Sequence, residues 1–184
     1  MAPRLLIIAH AETPGTRALV FGDDSVPFVT VGRCGVRVAR WVSAPDPACR
    51  TTADQLGTDV TTADELAACD FGRWAGRKLV DVGVAEPEAV ATWLSDPYAA
   101  PHGGESLSAL LARVRAFLAA QARRERTAVA ITHGGVVKAA VVSALQAPPA
   151  AFWRIDVAPL AITELHAHDG RWTVTRVNDR EEAP

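Results

Sequence analysis

Cysteine is scarce in this 184-residue chain: there are three, Cys34, Cys49 and Cys69, at no metal-like spacing. An odd number so placed excludes a closed disulfide framework and points to a reducing compartment. Long hydrophobic runs are missing as well. The first apolar stretch, Leu5 to Ala9, is far too short for a signal-peptide core or a membrane span. An excess of one charge is also absent, because the formal net charge is only −2. That balance gives no general pull toward nucleic acid or an anionic membrane. Arg33, Arg37, Arg40, Arg123, Arg124 and Arg126 are offset by acids and form no basic arm. No repeat, low-complexity tract or linker divides the chain. The expectations are a cytoplasmic protein, a single domain over residues 1–184, and neither a nucleic-acid nor a membrane partner.

What the chain does contain is core material. Apolar residues make up 49% and charged residues 22%, the profile of a globular domain long enough to bury a sizeable interior. The abundance of Ala, Val and Arg suggests a GC-rich bacterial coding sequence. Leu5–Ala9 is apolar without helical periodicity, as expected of a central parallel strand covered on both faces. The segment "VRVARWVSAP" reads as a second strand. "DPACRTTADQLG" reads as a helix with Asp46 at its N-cap, Pro47 in its first turn and Gly57 past its end.

Further helical patterns cover Pro87–Leu94 and Ser106–Arg124, where Leu107, Leu110, Leu111, Val114 and Phe117 form one stripe. "TAVAIT" is another strand, Gly134–Leu145 a helix, and "LAITELHAH" and "RWTVTRVN" a hairpin around "DGR". Strands alternating with helices predict an α/β layered domain with a mainly parallel sheet. Trp41, Trp93, Trp153 and Trp172 are expected as core or half-buried packing residues, and Trp74 as a loop anchor.

Two strands run straight into a histidine, His10 and His133, and the second is followed by Gly134-Gly135 opening a helix. Ligands of open α/β sheets collect at the carboxyl ends of the strands, so both imidazoles are expected in one crevice. Backbone amides at the start of the Gly134 helix could receive a negative group.

At this point the chain resembles a known family. "LLIIAHAET", "SAPDPACRTTADQLG", "DFGRWAG", "HGGESL" and "ITHGGVV" occur in the order used by the histidine phosphatase superfamily, the phosphoglycerate-mutase-like phosphatases. The resemblance implies a three-layer α/β/α sandwich with a mainly parallel central sheet. It implies His10 as the residue that would become phosphohistidine and His133 as the second pocket histidine. Glu12 and Thr13 match the tail of the first motif, and Gly104, Glu105 and Ser106 match a segment near the pocket rim.

The departures are chemical. The family's arginine before the nucleophile falls on Ala9 and its following glycine on Ala11. Its asparagine falls on Thr16, its second clamp arginine on Ala48, and its acid on Ala68. The connection between the first two strands is also short. Phosphoryl transfer is mostly positioning and charge neutralisation, and alanine supplies neither. Removing one such donor costs roughly 2.7–4 kcal/mol at the transition state.

The leading expectation is therefore a repurposed enzyme. His10 and His133 would act as acid and base on a small non-phosphorylated organic substrate, in an isomerisation, elimination, cyclisation or hydrolysis within specialised metabolism. Glu12 and Glu105 are expected as orienting or proton-carrying groups. Ala9, Ala11, Thr13, Thr16, Ala48, Ala68, His102, Ser106 and Gly134 are expected to line the substrate pocket, the alanines making it roomier. Two alternatives stay open: a pseudoenzyme that binds a ligand or protein partner, and a weak phosphomonoesterase in which Arg50, Arg17 or Asp70 compensates. No metal or cofactor is expected, with a zinc site of His10, His133 and His102 as the lesser idea. A homodimer is also entertained.

Overall fold

The computed structural model describes residues 3–23, 25–27, 40–56, 59–124 and 127–180. Cys34, Arg33, Arg37, Arg126, Gly57 and the beginning of the expected second strand lie outside them, as does most of the short connection between the first two strands.

Among the described residues six strands form one sheet. They are β1 (Arg4–Ala9), β2 (Arg40–Ser43), β3 (Thr61–Thr62), β4 (Ala128–Thr132), β5 (Ile162–His168) and β6 (Arg171–Asp179). Their order is β3-β2-β4-β1-β5-β6. The first four are mutually parallel, and β5 pairs antiparallel with both β1 and β6. All of β4 and all but the first residue of β1 are buried, which is what unbroken apolar runs predict for strands covered on both faces. The β5–β6 turn places Asp169 and Gly170 both at positive φ, the backbone that its Asp-Gly pair favours.

The helices are α1 (Pro14–Arg17), α2 (Pro47–Leu56), α3 (Leu79–Ala85), α4 (Pro87–Ser95), α5 (Leu107–Ala122) and α6 (Gly134–Ala144). Helix α2 packs against β2 and β4, α6 against β1 and β6, and α5 against α6. The result is the α/β/α layered architecture expected from the sequence. Helices α1 and α3 and the two-residue edge strand β3 carry too little periodicity to be read from sequence alone.

One buried cluster joins the sheet to α2, α5 and α6. A second is built on Phe21, Trp74 and Val82, with Phe71, Val90 and Trp93 against it. Trp41, Trp93, Trp153 and Trp172 are all partly buried, and Trp74 is fully buried.

Candidate functional site

β1 ends at Ala9 and β4 at Thr132, and the two strands pair in parallel, Ala9 opposite Thr132. The next residue on each is a histidine. His10 and His133 therefore emerge side by side, their rings edge to face with centroids 4.9 Å apart. The backbone N–H of His10 donates to the Thr132 carbonyl at 2.8 Å, fixing the exit of both strands.

His10 is buried, and its Nδ1 lies 2.8 Å from the Ala11 carbonyl. Donation of the Nδ1 proton to that oxygen leaves the lone pair on Nε2. The anchor is itself anchored: the Ala11 N–H donates to Thr52 Oγ1 at 3.0 Å, and the Thr52 hydroxyl donates to the Ala48 carbonyl at 2.7 Å. Burial, and next the neighbouring His133, hold the His10 imidazole below its ordinary value. The Ala11 carbonyl, Asp23 and Asp46 offset part of that shift. His10 is thus neutral near pH 7, with a free ring nitrogen.

His133 has a partner that sequence reading missed. Its Nε2 lies 3.0 Å from Asp46 Oδ2, and the Ala68 N–H donates to the same oxygen at 3.3 Å. Asp46 does sit just before α2, its carbonyl accepting from the N–H groups of Cys49 and Arg50. Its carboxylate, however, turns into the site. Burial raises the Asp46 carboxyl, but hydrogen bonding to His133, the charge of that ring and the Ala68 amide outweigh it, and the group titrates below its ordinary value. Cys49 Sγ is 3.5 Å from His133 Nε2. Burial and then the Asp46 charge push its thiol well up, so Cys49 stays protonated and is no nucleophile.

A cavity of about 220 Å³ opens in front of His10, lined by Ala9, Glu12, Thr16, Gly134, Val157 and Pro159. Ala9, Glu12, Thr16 and Gly134 thus stand with His10 around one cavity. Glu12 is held by Arg17, with 2.6 Å between Oε2 and NH2.

Several expectations are corrected. Ala11 and Ala48 are fully buried and are not among the residues that line the cavity, so they make no room in it. Ala68 meets the site through its backbone N–H, which donates to Asp46, and is not among the residues that line the cavity. Thr13 is fully buried, caps α1 and bonds to Asp23 and Thr16, so its hydroxyl is already used. Ser106 is the N-cap of α5, accepting from the Ala109 N–H at 3.2 Å.

Glu105 is no free proton carrier. Arg113 grips both its oxygens, at 2.9 and 2.7 Å, and also donates to the carbonyls of Glu65 and Ala67. His102 is not among the residues that line the His10 cavity and does not join His10 and His133 around a metal. It is buried beside Trp74, Phe71 and Trp93, with Nδ1 accepting from the Gly104 N–H. Among the described residues no group of three His, Cys, Asp or Glu is placed to hold a metal ion.

Of the candidate substitutes, Arg17 reaches the edge of the site through its ion pair with Glu12 on the cavity wall, whereas Arg50 and Asp70 do not enter it. Arg50 is exposed on α2, as the roughly 200° rotation from Ala48 requires. Asp70 is exposed and accepts from the Gly72 N–H in a turn. Among the described residues no helix is long and apolar enough to cross a membrane.

Comparison with known proteins agrees with this architecture. The profile of the histidine phosphatase superfamily (branch 1) matches residues 34–180, a span that includes His133 and Asp46 but begins after His10. A bifunctional protein of Mycobacterium tuberculosis is 33% identical over 202 residues, covering 95% of this chain and 53% of that protein. The chain therefore spans about half the length of that relative. Phosphoserine phosphatase 1 of Hydrogenobacter thermophilus is 25% identical over 129 residues, covering 68% of this chain and 61% of its own.

Among solved structures, the α-ribazole phosphatase of Shigella flexneri has a TM-score of 0.81 at 20% identity, covering 96% of both chains. Mycobacterial glucosyl-3-phosphoglycerate phosphatase has a TM-score of 0.79 at 23% identity, covering 96% of this chain and 98% of its own. The two strand-end histidines, the sheet that delivers them and the profile that spans most of the chain lead to one assignment: this protein belongs to the histidine phosphatase superfamily.

Proposed function

We propose that the chain is an enzyme that moves protons on a small, non-phosphorylated organic substrate, with His10 as base and the His133–Asp46 pair as its acid partner. The observation that carries this reading is the Asp46 carboxylate, 3.0 Å from His133 Nε2. In a phosphatase of this superfamily the second histidine holds phosphate, and here an anion holds it instead. Two like charges about 4 Å apart repel by roughly 4 kcal/mol at the effective dielectric of a protein surface. Each missing clamp arginine withholds a further ~2.7–4 kcal/mol at the transition state. Both effects oppose a phosphate dianion.

The same groups suit general acid–base chemistry. His10, its Nδ1 tied to the Ala11 carbonyl and its pKa lowered by burial, lines the cavity and keeps Nε2 free to take a substrate proton. Asp46 fixes the ring of His133 and balances the charge when His133 carries an extra proton, the division of labour seen whenever a carboxylate backs an imidazole. Isomerisation, elimination, cyclisation and hydrolysis all use such a pair.

Turnover through phosphohistidine at His10 is the second reading. Its support is the Nε2 lone pair of His10, the phosphatases among the relatives, and Arg180, which lines a depression sharing Glu12 and Pro159 with the His10 cavity.

The deciding experiment runs two substrate panels side by side on wild type, His10→Ala and Asp46→Asn. One panel holds phosphomonoesters; the other holds esters, lactones, hydroxy acids and enolisable ketones. Turnover is expected in the second panel, lost in His10→Ala and lowered about 10²–10⁴-fold in Asp46→Asn. Phosphomonoester hydrolysis that needs His10 and survives loss of Asp46 overturns the proposal in favour of phosphohistidine. Silence in both panels removes both catalytic readings and leaves a binding role.

A further inference from the structure

A second cavity, of about 190 Å³, lies against the other side of the α6 N-terminus. Gly134 faces the His10 cavity, and the next residue, Gly135, faces this one. Cys69, which follows the Ala68 that touches Asp46, also lies on its wall. The first turn of α6, with Gly134 on one cavity and Gly135 on the other, thus lies between the two spaces.

The walls are aromatic and aliphatic: Phe71, Trp93, Phe152 and Trp153, with Leu107 and Leu110 from α5. The rings are already arranged edge to face. Trp93 and Trp153 have centroids 4.7 Å apart, and Phe152 and Trp153 4.9 Å. An apolar cavity of ~150 Å³ accepts a benzene ring, so this one has room for a ring with a short substituent.

One charged side chain interrupts the apolar wall. Lys138, one turn along α6 from Gly135, is half-buried, with Nζ 5.6 Å from the centre of the Phe152 ring. No carboxylate pairs with it among the described residues. A half-buried lysine whose Nζ meets an aromatic face and pairs with no carboxylate among the described residues is a cation to which an incoming anion can add a charge-assisted hydrogen bond. The Cys69 thiol opposite is pushed up to about 12 by burial and then by Glu105, so it stays neutral and offers no competing anion.

We propose that this cavity is a substrate subsite for a ring bearing one carboxylate, the ring between the Trp93, Trp153, Phe71 and Phe152 side chains and the carboxylate on Lys138. The assignment rests on the reading that the site takes a non-phosphorylated organic substrate, and it names the class: aryl or cycloalkyl carboxylic acids whose remaining part extends past the first turn of α6 toward His10 and His133.

The test uses three probes on the whole chain by calorimetry and tryptophan quenching: 3-phenylpropionate, 3-phenylpropanol and propionate. Wild type is expected to bind 3-phenylpropionate in a one-to-one ratio at least about tenfold more tightly than the other two, and Lys138→Met to erase that advantage without changing 3-phenylpropanol. Equal affinity for 3-phenylpropionate and 3-phenylpropanol in wild type, or no binding of either, overturns the proposal without recourse to a variant. Probe binding that persists in a protein with no His10-dependent turnover supports the subsite and removes the catalytic reading. Turnover in a protein that ignores the probe does the reverse.

Discussion

Asp46 Oδ2 lies 3.0 Å from His133 Nε2 and 3.3 Å from the Ala68 amide nitrogen. One carboxylate therefore ties the start of α2 to the start of α6 and to the position where the superfamily's acid would stand. A carboxylate charge thus stands in the site next to Ala48 and Ala68, where the sequence supplies no arginine and no acid.

Inorganic phosphate binding measures that electrostatic effect directly. Asp46→Asn keeps a hydrogen-bond acceptor for His133 and removes the negative charge. The variant is expected to bind phosphate at least about tenfold more tightly than wild type, since even a screened repulsion at this distance exceeds the ~1.4 kcal/mol that a factor of ten requires. Titration followed by calorimetry at low salt gives the comparison. Equal affinities would show that Asp46 does not govern anion access.

The protonation of His10 gives a second prediction. Its imidazole is held below the ordinary value of about 6.5 by burial and by His133. It therefore stays neutral, and basic chemistry persists, as the pH falls through 6.5; loss comes only below that. Asp46 acts in the opposite sense and raises the His10 value, so Asp46→Asn should move the acid limb to still lower pH. The rate of His10 carbethoxylation against pH, read by peptide mass, reports both midpoints. A wild-type midpoint above 6.5 would contradict the burial argument.

The sheet and the two histidines were legible because they depend on local pattern. An apolar run ending in histidine needs only its own residues to be recognised. The site's chemistry was less legible because its partners are far apart in sequence. Asp46 reads as an N-cap before Pro47, and nothing local says that its carboxylate turns toward Ala68 and His133. His102, flanked by Pro101 and Gly103, looks like a loop residue until Phe71, Trp74 and Trp93 close over it. Glu105 looks catalytic until Arg113, two turns along α5, takes both of its oxygens. The four alanine replacements were visible, but their consequence was not: Ala11 and Ala48 are packed over rather than open.

Thr52 holds the His10 anchor in place from beneath. It accepts from the Ala11 N–H and donates to the Ala48 carbonyl, and it is fully buried. Thr52→Val keeps the shape and leaves the buried Ala11 N–H without a partner, at a cost of about 1–3 kcal/mol. Urea denaturation should show that loss. Because the Ala11 carbonyl orients His10, the variant's His10 carbethoxylation profile should also change. A variant as stable as wild type would mean the Ala11 amide finds another partner.

Glu86 fastens the aromatic excursion that carries Trp74 and Trp93. Its carboxylate accepts from Trp74 Nε1 at 3.1 Å and from Arg77 at 2.7 Å, and it is also bound by Arg73. Those three donors, Trp74 first, lower its value to about 2. A carboxyl depressed on folding contributes stability that is present above its unfolded value, near 4.3, and is lost as the pH falls through that value toward 2. Glu86→Gln cannot titrate. The stability gap between wild type and the variant should therefore be widest at pH 6 and should narrow steadily between pH 4.5 and pH 2.5. Glu164, also held near 2, titrates equally in both proteins and cancels from the difference. Urea melts at pH 6, 4 and 3, followed by tryptophan fluorescence, would show the convergence; a gap that stays constant with pH would mean that the ionised form of Glu86 adds nothing to the fold.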